Sequence, residues 1–353
     1  MDIGIVGGGI NGLSCAWQLA ECGHSVTVYE RGDIMRETSQ ASSKLLHGGL
    51  RYLENREFRL VREALQERDA WIRRVPDLAW PLRLVLPIYK SSRRPRWMVA
   101  AGLFFYDRIA GQSILPPAVW LSAQQLTVRD PSLSSRDLIG GYEFSDGQMD
   151  DYRLGLWVAD QARERGVRIL EHSPVTRVGT DGSVRLGETE LHHELLLNIA
   201  GPWAKKLLQD SDLDAPYELD LVRGSHLILD HPSPCAYLLE VPMERRIFFV
   251  LPWKQKTLVG TTEVRQQLDS PTECHLTEQE YLLSAFQHYF PKRDRELAGT
   301  FAGLRPLLRS SIDPNRATRE YAIHREGRLL TVFGGKWTTS LALASKITQM
   351  VKS

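Results

Sequence analysis

Apolar and polar residues near the N-terminus follow two different periods. Asp2–Val6 is a short apolar run that predicts a β-strand, and Ile10–Glu21 has the apolar spacing of a helix. Residues 25–30 are rich in β-branched side chains, which favours a second strand. Together these segments predict a βαβ unit.

The same patterns recur along the rest of the chain. Helices are predicted at residues 57–73, 152–165, 278–289 and 338–351, and apolar strands at residues 167–170, 194–199 and 329–333. Alternating residues predict three more strands, at 225–229, 246–251 and 257–262, which favours an antiparallel sheet over further βαβ units. After residue 73 the helical pattern is broken by Pro76, Pro81 and Pro87.

A glycine-rich turn joins the first predicted strand to the first predicted helix. Gly7, Gly9 and Gly12 have the spacing of a dinucleotide-binding turn, which allows a tight turn, close approach of a pyrophosphate and close packing of helix on strand. Amides at the helix N-terminus then face the phosphates. Glu30 ends the next strand, where its carboxylate can accept hydrogen bonds from a ribose. The motif alone does not distinguish NAD from FAD.

Length and pattern together predict an α/β protein of two domains. A chain of 353 residues is long enough for two, and its βαβ segments lie at both ends and in the middle. We therefore predict a discontinuous Rossmann-type cofactor domain formed by residues 1–80, 141–205 and 300–353. Residues 81–140 and 206–299 would form a second, α+β substrate domain built on the antiparallel sheet.

Composition narrows the classes of function. The formal charge is +1, from 44 basic and 43 acidic side chains, so bulk charge gives no reason to expect a nucleic-acid partner. Four scattered cysteines without a CxxC pair fit a reducing compartment and no zinc site. The longest apolar run, residues 97–105, is about half of a membrane span, and no signal-peptide pattern precedes it. We expect a cytoplasmic protein.

Polar residues after the glycine-rich turn are candidates for the site. Residues 38–51 combine hydroxyls, a lysine, a histidine and a Gly-Gly turn, which can bind phosphate oxygens and ring edges. A polar loop with serine helix caps has the same composition, so that alternative stays open. His47 and His226 lie in glycine-containing, turn-like settings and are candidate bases, because imidazole titrates near neutral pH. His192 and His193 lie in a polar stretch and are expected at the surface.

Basic residues near the C-terminus are also candidates. Arg305 lies in a Gly-Leu-Arg-Pro segment and Arg319 in a Thr-Arg-Glu segment. Most arginines are solvated, but arginine is also the side chain suited to bidentate phosphate recognition. Lys336 follows a Gly-Gly turn at a strand end, and Thr338 can cap the helix that comes next.

A basic stretch beside an aromatic one has two interpretations. Arg93, Arg94 and Arg96 precede an apolar segment with Trp97, Phe104 and Phe105. An interfacial membrane segment requires this combination, and a core element with a basic flank has the same pattern. A peripheral contact with the inner face of the cytoplasmic membrane is therefore one of two expectations.

Taken together, these segments resemble the FAD-dependent glycerol-3-phosphate dehydrogenases, within the D-amino-acid-oxidase-like class of flavoproteins. The resemblance covers essentially the whole chain in the expected order, and residues 44–68 are its most specific part. The segments that carry it are IVGGGINGLSCAWQLAECG, SSKLLHGGLRYLENREFRLVREALQER, EFSDGQMDDYRL, NIAGPWAKK, VRGSH, FFVLPW, VGTTEV, AGLRPL and VFGGKWTT.

The resemblance implies a reaction and a cofactor. sn-Glycerol 3-phosphate would be oxidised at C2 to dihydroxyacetone phosphate, with hydride transfer to N5 of FAD. The electrons would pass to a quinone, or to oxygen as in the oxidase branch of the family. The discontinuous domain would then be the FAD-binding domain.

The resemblance also implies the residues of the site. Arg305 and Arg319 would hold the phosphate, with Arg51 and Tyr52 near the substrate and the flavin ring. His47 or His226 would take the hydroxyl proton, and Lys336 would stabilise the charge that develops on oxygen. FAD contacts are expected from Gly7, Gly9, Gly12, Glu30, Arg31, Thr38, Ser39, Ser43, Lys44, Leu45, His47, Val175, Ala200, Gly201, Gly334, Gly335, Lys336 and Thr338.

The chain departs from the family in two ways. Long members carry a further helical domain after the final helix, whereas this sequence ends at Ser353 and so resembles a short form. In the family's Gly-Gly-Lys-Leu-Thr-Thr turn, Trp337 replaces the leucine, and Ser340 and Leu341 stand where Tyr-Arg is usual. Three alternatives stay open: another phosphorylated polyol or an amino acid as substrate, or a flavin-binding protein without turnover.

Overall fold

The computed structural model describes residues 1–50, 53, 57–111, 113–309 and 321–352. Its helices are α1 (Ile10–Glu21), α2 (Phe58–Arg74), α3 (Arg96–Ala110), α4 (Ala123–Arg129), α5 (Asp151–Glu164), α6 (Ala204–Asp210), α7 (Leu276–Tyr289) and α8 (Ser340–Lys352). Its strands are β1 (Asp2–Val6), β2 (Ser25–Tyr29), β3 (Leu45–Leu46), β4 (Ala79–Tyr89), β5 (Val119–Ser122), β6 (Leu138–Met149), β7 (Arg168–Leu170), β8 (Arg177–Val178), β9 (Ser183–Leu186), β10 (Thr189–His192), β11 (Leu195–Asn198), β12 (Leu219–Leu229), β13 (Ala236–Glu240), β14 (Ile247–Trp253), β15 (Lys256–Gly260), β16 (Val264–Arg265), β17 (Leu297–Leu308), β18 (Tyr321–Glu326) and β19 (Leu329–Gly334). Arg51, Tyr52 and Arg319 lie outside the described residues.

One sheet is formed by the segments predicted as βαβ units. Its described strands follow the order β18-β19-β11-β1-β2-β7 and run parallel, except for the antiparallel pair of β18 and β19. Helices α1, α5 and α8 contribute to the apolar cluster on one face, and α6 with β8 and β9 contributes to the cluster on the other. Both faces are therefore covered, which explains why β11 is buried throughout and begins with three leucines.

The parallel order determines where the loops meet. The carboxyl ends of β1, β2, β11 and β19 lie at the same edge of the sheet, because these strands are adjacent and parallel. Ligands of open α/β sheets bind at that edge. The glycine-rich turns that follow β1 and β19 are therefore brought together, although they are far apart in the sequence.

The second sheet is mainly antiparallel. Its described strands are β16-β12-β15-β14-β13-β4-β6-β3, with β17 paired to β12 and β5 paired to β6. Helix α7 packs in the cluster on one face, and α2 and α3 pack in the cluster on the other. The predicted antiparallel strands are all present in it, and the mixed α/β fold class is confirmed.

Strand β4 was missed by the sequence pattern because it contains Pro81 and Pro87. It pairs with β6 along its whole length, but with β13 only at Leu84 and Val85. Both prolines therefore lie where β4 has one described neighbour rather than two. Within a sheet, proline is tolerated mainly at such edge positions, where one side of the strand has no partner.

Three of the four predicted domain boundaries fall within strands of the second sheet. The boundary at residue 81 lies inside β4, that at residue 141 inside β6, and that at residue 300 inside β17. Among the described residues, these strands pair only with other strands of that sheet. The fourth boundary, at residue 206, lies inside helix α6. The division into a cofactor domain and a substrate domain stays a prediction.

Helix α3 has both a buried apolar face and exposed aromatic residues. Val99, Leu103 and Tyr106 are buried in the core, while Trp97 and Phe104 are 69% and 59% exposed. The helix is thus a core element that presents an aromatic face outward. Among the described residues, no helix has both the length and the apolar composition that crossing a membrane requires.

The expectation that His193 lies at the surface is wrong. Its side chain is 5% exposed, with Nδ1 2.7 Å from Asp2 Oδ2 and Nε2 2.9 Å from the Tyr29 hydroxyl. Paired on both ring nitrogens, the imidazole can be buried at little cost. His192, beside it, is exposed as expected.

Candidate active site and cofactor cavity

A cavity of about 930 Å³ is lined by both sheets. The parallel sheet contributes the loops that follow its strands, and the second sheet contributes side chains of β13, β14 and β17. The cavity therefore lies where the glycine-rich turns of one sheet face the strands of the other.

The dinucleotide turn has the backbone shape that its spacing predicts. Gly7 has a φ of 114°, and a Cβ there would lie 2.4 Å from the carbonyl oxygen of Ile199. A Cβ at Gly12 would lie 1.9 Å from the carbonyl oxygen of Gly7, so helix α1 can pack this closely only with glycine. Gly9 caps α1 without a side-chain hydrogen bond, and Ser39 Oγ accepts from the first amide, that of Ile10, so an anion would meet the amides that follow it.

Polar groups around this turn fit the ribose and pyrophosphate of FAD. Glu30 Oε2 accepts a hydrogen bond from Gly8 N at 2.7 Å, and the residue lines the cavity. Asn11 also lines it, and its buried Oδ1 has no hydrogen-bond partner among the described residues. Gly335, with a φ of 96°, lies so close that a Cβ would be 2.9 Å from Asn11 Nδ2. The backbone at residue 335 therefore requires glycine, and the unpaired Oδ1 of Asn11 lies where a cofactor would bind.

A stacked pair lies beside Glu30 at the cavity wall. The guanidinium of Arg31 is 3.7 Å from the centre of the Trp203 ring, and its Nη2 is 2.6 Å from Glu37 Oε1. All three residues line the cavity. Arg31 was predicted from the sequence, whereas Trp203 was missed although it follows the Gly-Pro of the NIAGPW segment.

The polar segment after the turn is tied to both sheets. Thr38 Oγ1 donates to the carbonyl oxygen of Leu304 at 2.6 Å, and Ser39 Oγ accepts from Ile10 N at 3.0 Å. Trp337, at one of the departures from the family pattern, donates from Nε1 to the carbonyl oxygen of Ser39 at 3.1 Å. The tryptophan thus joins the second glycine-rich turn to this segment.

Most of the predicted site residues meet at this cavity. Those that line it are Gly7, Gly9, Glu30, Arg31, Thr38, Ser39, Ser43, Leu45, His47, Val175, Ala200, Gly201, Arg305, Gly334, Gly335, Lys336 and Thr338. Gly12, Lys44 and His226 lie behind the wall. Gly12 packs on Gly7, and Lys44 is buried by an ion pair of 2.7 Å with Asp151.

His226 is buried behind Ser43. Its Nε2 is 2.8 Å from Ser43 Oγ, its ring stacks on Phe301 with centroids 4.7 Å apart, and its Nδ1 has no partner in the described ranges. Burial holds the pKa of His226 well below its usual value, and the positive charges of Arg305 and Lys44 lower it further. The imidazole is therefore neutral at pH 7.

Arg305 is held by a turn of the second sheet. Its Nη2 donates to Thr261 Oγ1 at 2.7 Å, and its Nη1 is 3.9 Å from Glu263 Oε1. Thr261 and Glu263 line the cavity with it. Sequence reasoning assigned neither residue a role, although both lie in the VGTTEV segment. The ring of Phe249, 6.1 Å from that of His47, was missed as well.

The sequence matches a family model over nearly its whole length. The model describes FAD dependent oxidoreductases and matches residues 2–350. A glycerol-3-phosphate dehydrogenase of Pseudomonas aeruginosa is 38% identical over 99% of this chain and 71% of its own length. A D-erythritol 1-phosphate dehydrogenase of Brucella abortus is 34% identical over 98% of this chain and 72% of its own length.

A solved structure has the same fold. The glycerol-3-phosphate dehydrogenase of Bacillus halodurans, complexed with FAD, superposes with a TM-score of 0.78 at 23% identity. The alignment covers 99% of this chain and 64% of that one, so the chain spans less than two thirds of that protein. The predicted fold and the predicted resemblance are confirmed.

Proposed function

This chain belongs to the FAD-dependent oxidoreductase family, and on that premise we propose that it oxidises sn-glycerol 3-phosphate at C2 to dihydroxyacetone phosphate. The observation that carries the proposal is the position of Arg305, whose guanidinium shares one cavity with the dinucleotide turn. The two relatives named above act, by their names, on phosphate esters of polyols. Such a phosphate is the group that an arginine in this position would recognise.

Recognition of the phosphate would depend on a fixed guanidinium. Thr261 and Glu263 hold Arg305 at the wall of the cavity, where its guanidinium can bind a charged ligand. We assign Arg319, Arg51 and Tyr52 to the substrate from the sequence resemblance alone. A dianionic phosphate bound by Arg305 would place the carbon chain of the substrate in the cavity.

Oxidation at C2 removes a hydride and a proton from the alcohol. When bound, FAD supplies the hydride acceptor and passes two electrons on to a second acceptor. His47 is the better candidate for the base, because it lines the cavity whereas His226 is buried behind Ser43. Lys336 would stabilise the negative charge that develops on the C2 oxygen as the proton leaves.

The electron acceptor we propose is a membrane quinone. Helix α3 lines the cavity with Met98, Val99, Gly102 and Phe105, and the same helix exposes Trp97 and Phe104. Arg96 at its start and Arg93 just before it are exposed as well. Aromatic and basic groups on one helix suit an anionic membrane surface, from which an apolar acceptor could reach the cavity.

Steady-state kinetics of the FAD-loaded protein with a dye acceptor test the proposal. We expect kcat/KM for glycerol 3-phosphate to exceed that for glycerol by roughly 100-fold or more, since charge-assisted hydrogen bonds are involved. Arg305→Ala should lower kcat/KM for glycerol 3-phosphate by roughly 30- to 3000-fold and change turnover of glycerol little. Equal losses on both substrates would remove Arg305 from phosphate binding. Faster turnover of D-erythritol 1-phosphate would move the substrate to a longer polyol, and faster turnover of an amino acid would contradict the proposal.

A further inference from the structure

A buried polar cluster lies directly behind the turn that carries His47. Tyr106 on α3, Asp146 on β6 and Arg68 on α2 bring their polar groups together, with 1%, 3% and 2% of their surface exposed. The Tyr106 hydroxyl is 2.8 Å from Asp146 Oδ1 and 3.0 Å from Oδ2, and Arg68 Nη1 donates to Oδ1 at 3.1 Å. Three elements that are separate in the sequence therefore meet at one carboxylate.

The cluster binds one backbone group of the cavity wall. Gly48 N donates to the Tyr106 hydroxyl oxygen at 2.8 Å and is 3.4 Å from Asp146 Oδ1. The fit is tight, because a Cβ on Gly48 would lie 2.6 Å from the Leu65 side chain and 2.7 Å from the Tyr106 hydroxyl. His47 and Gly49, on either side of Gly48, both line the cavity. The hydrogen bond to Tyr106 thus anchors the middle of a three-residue turn whose ends face the ligand.

We infer that Tyr106 is a positioning residue of the active site, which holds residues 47–49 against the cavity by accepting the Gly48 N–H while donating its own proton to Asp146. The ionised carboxylate fixes the direction of this chain of hydrogen bonds. It can only accept, so the phenol must donate to it and keeps its oxygen lone pairs for Gly48.

The charge of Asp146 supports this arrangement. The groups that face it are Arg68 on α2, Tyr106 on α3 and the Gly48 amide, and Asp69 on α2 binds the far side of the Arg68 guanidinium. Burial raises the pKa of Asp146 to about 6, against the opposing effect of Arg68, so the carboxylate is mostly ionised at pH 7. Below that pKa the protonated carboxyl would itself donate, and it would compete with Gly48 for the phenol oxygen.

The chain contains a matched cluster that does not reach the cavity. The Tyr237 hydroxyl donates to Asp130 Oδ2 at 2.6 Å, Arg293 binds the same carboxylate, and Tyr237 is 1% exposed. None of these three residues lines the cavity described above. Tyr237→Phe therefore removes the same hydroxyl from the same kind of cluster and serves as the control for Tyr106→Phe.

The experiment compares the two variants as FAD-loaded proteins. The inference depends on the proposed function only for its activity readout. We expect both variants to lose similar thermal stability, while Tyr106→Phe alone lowers kcat/KM for glycerol 3-phosphate by roughly 10- to 100-fold. We also expect it alone to speed amide hydrogen exchange of residues 45–50, because Gly48 N–H loses its partner. If the two variants match in both activity and exchange, Tyr106 positions nothing and the inference is wrong.

The exchange measurement separates this inference from the proposed function. If the wild type does not oxidise glycerol 3-phosphate but exchange differs between the variants as expected, the proposed function fails and the positioning role stands. Should Tyr106→Phe give no folded protein, Asp146→Asn replaces it. It should speed the same exchange and remove an acid limb near pH 6 from the wild-type pH profile. A wild-type exchange rate and pH profile in that variant would overturn the inference.

Discussion

The guanidinium of Arg305 lies directly on the bare backbone of Gly224, where a Cβ would be only 1.8 Å from Nη2. Gly224 on β12 pairs with Gly303 on β17, and the Arg305 side chain fills the space that a side chain at residue 224 would occupy. The glycine of the VRGSH segment is therefore explained by the position of the arginine, and the two residues form one unit of the site.

The first prediction concerns Gly224→Ala. The added methyl group should displace the flexible guanidinium rather than the backbone, so KM for glycerol 3-phosphate should rise by roughly 10-fold or more. FAD content should stay unchanged, because Gly224 is not among the residues that line the cavity. Gly299→Ala on β17 is the control, since a Cβ there meets nothing within 4 Å. A Gly224 variant with the KM of the Gly299 variant would contradict the placement of Arg305.

The fold was predictable from the sequence as far as its patterns were local. The βαβ unit is confirmed because β-branched strands, an amphipathic helix and the spacing of Gly7, Gly9 and Gly12 all favour the same structure. The prolines of β4 indicated a break in regular structure, although the segment is a strand. Only the incomplete pairing of β4 with β13 explains how the strand tolerates them.

Site residues could be predicted from the sequence where they lie in a recognisable motif. They could not be predicted where the site depends on contacts between segments that are distant in the sequence. His47, Arg305 and Lys336 were candidates from their residue types and glycine-containing settings, the resemblance gave them roles, and they line the cavity. The buried residues that pack behind them, Tyr106 and Asp146, were not predicted. In the sequence Tyr106 is one of several aromatic residues in a stretch that could face a membrane, and Asp146 is a polar residue in a glycine-containing segment. Their roles depend on the packing of α3 against β6, which no local pattern records.

The second prediction distinguishes the two candidate bases. General base catalysis contributes about 10²- to 10⁴-fold, so His47→Asn should lower kcat by roughly 100-fold or more and retain FAD. His226→Asn should have a smaller effect on kcat, because His226 contacts Ser43 rather than the cavity. Stopped-flow reduction of the bound flavin measures the step directly. A larger loss in the His226 variant than in the His47 variant would reverse the assignment.

The third prediction concerns stability and pH at Glu67 on α2. Burial and the neighbouring Glu63 raise the pKa of Glu67 to about 8, and its Oε2 has no partner among the described residues. A carboxyl whose pKa is raised on folding stabilises the fold at low pH, and the contribution is lost as pH rises toward the folded pKa. The window therefore runs from about pH 4.5, the ordinary value, to about pH 8.

The glutamine of Glu67→Gln cannot ionise, so the variant should not lose stability as the pH rises through this window. The Tm of the variant should match that of the wild type near pH 5 and exceed it by roughly 2 °C or more at pH 8. Thermal unfolding across that range is the measurement. A constant difference in Tm would show that Glu67 does not titrate as described.

The fourth prediction concerns the outward face of α3. Replacing Trp97 and Phe104 together by serine should weaken sedimentation with anionic liposomes, because these rings would enter the interface. Met243 and Leu276 are 97% and 75% exposed at other places on the surface, so the same double replacement there is the control. Dye-linked activity should be unchanged in both variants. Equal liposome binding by the two variants would exclude α3 as the contact.

The central claim is that this chain is an FAD-dependent dehydrogenase of the C2 alcohol of glycerol 3-phosphate, and an anaerobic titration of the FAD-loaded protein tests it most directly. The account predicts that stoichiometric glycerol 3-phosphate bleaches the flavin absorbance and that dihydroxyacetone phosphate is formed in equal amount. NADH should not reduce the flavin, because the sequence holds one dinucleotide fingerprint. A flavin that glycerol 3-phosphate leaves oxidised, while glycerol or an amino acid reduces it, would contradict the account.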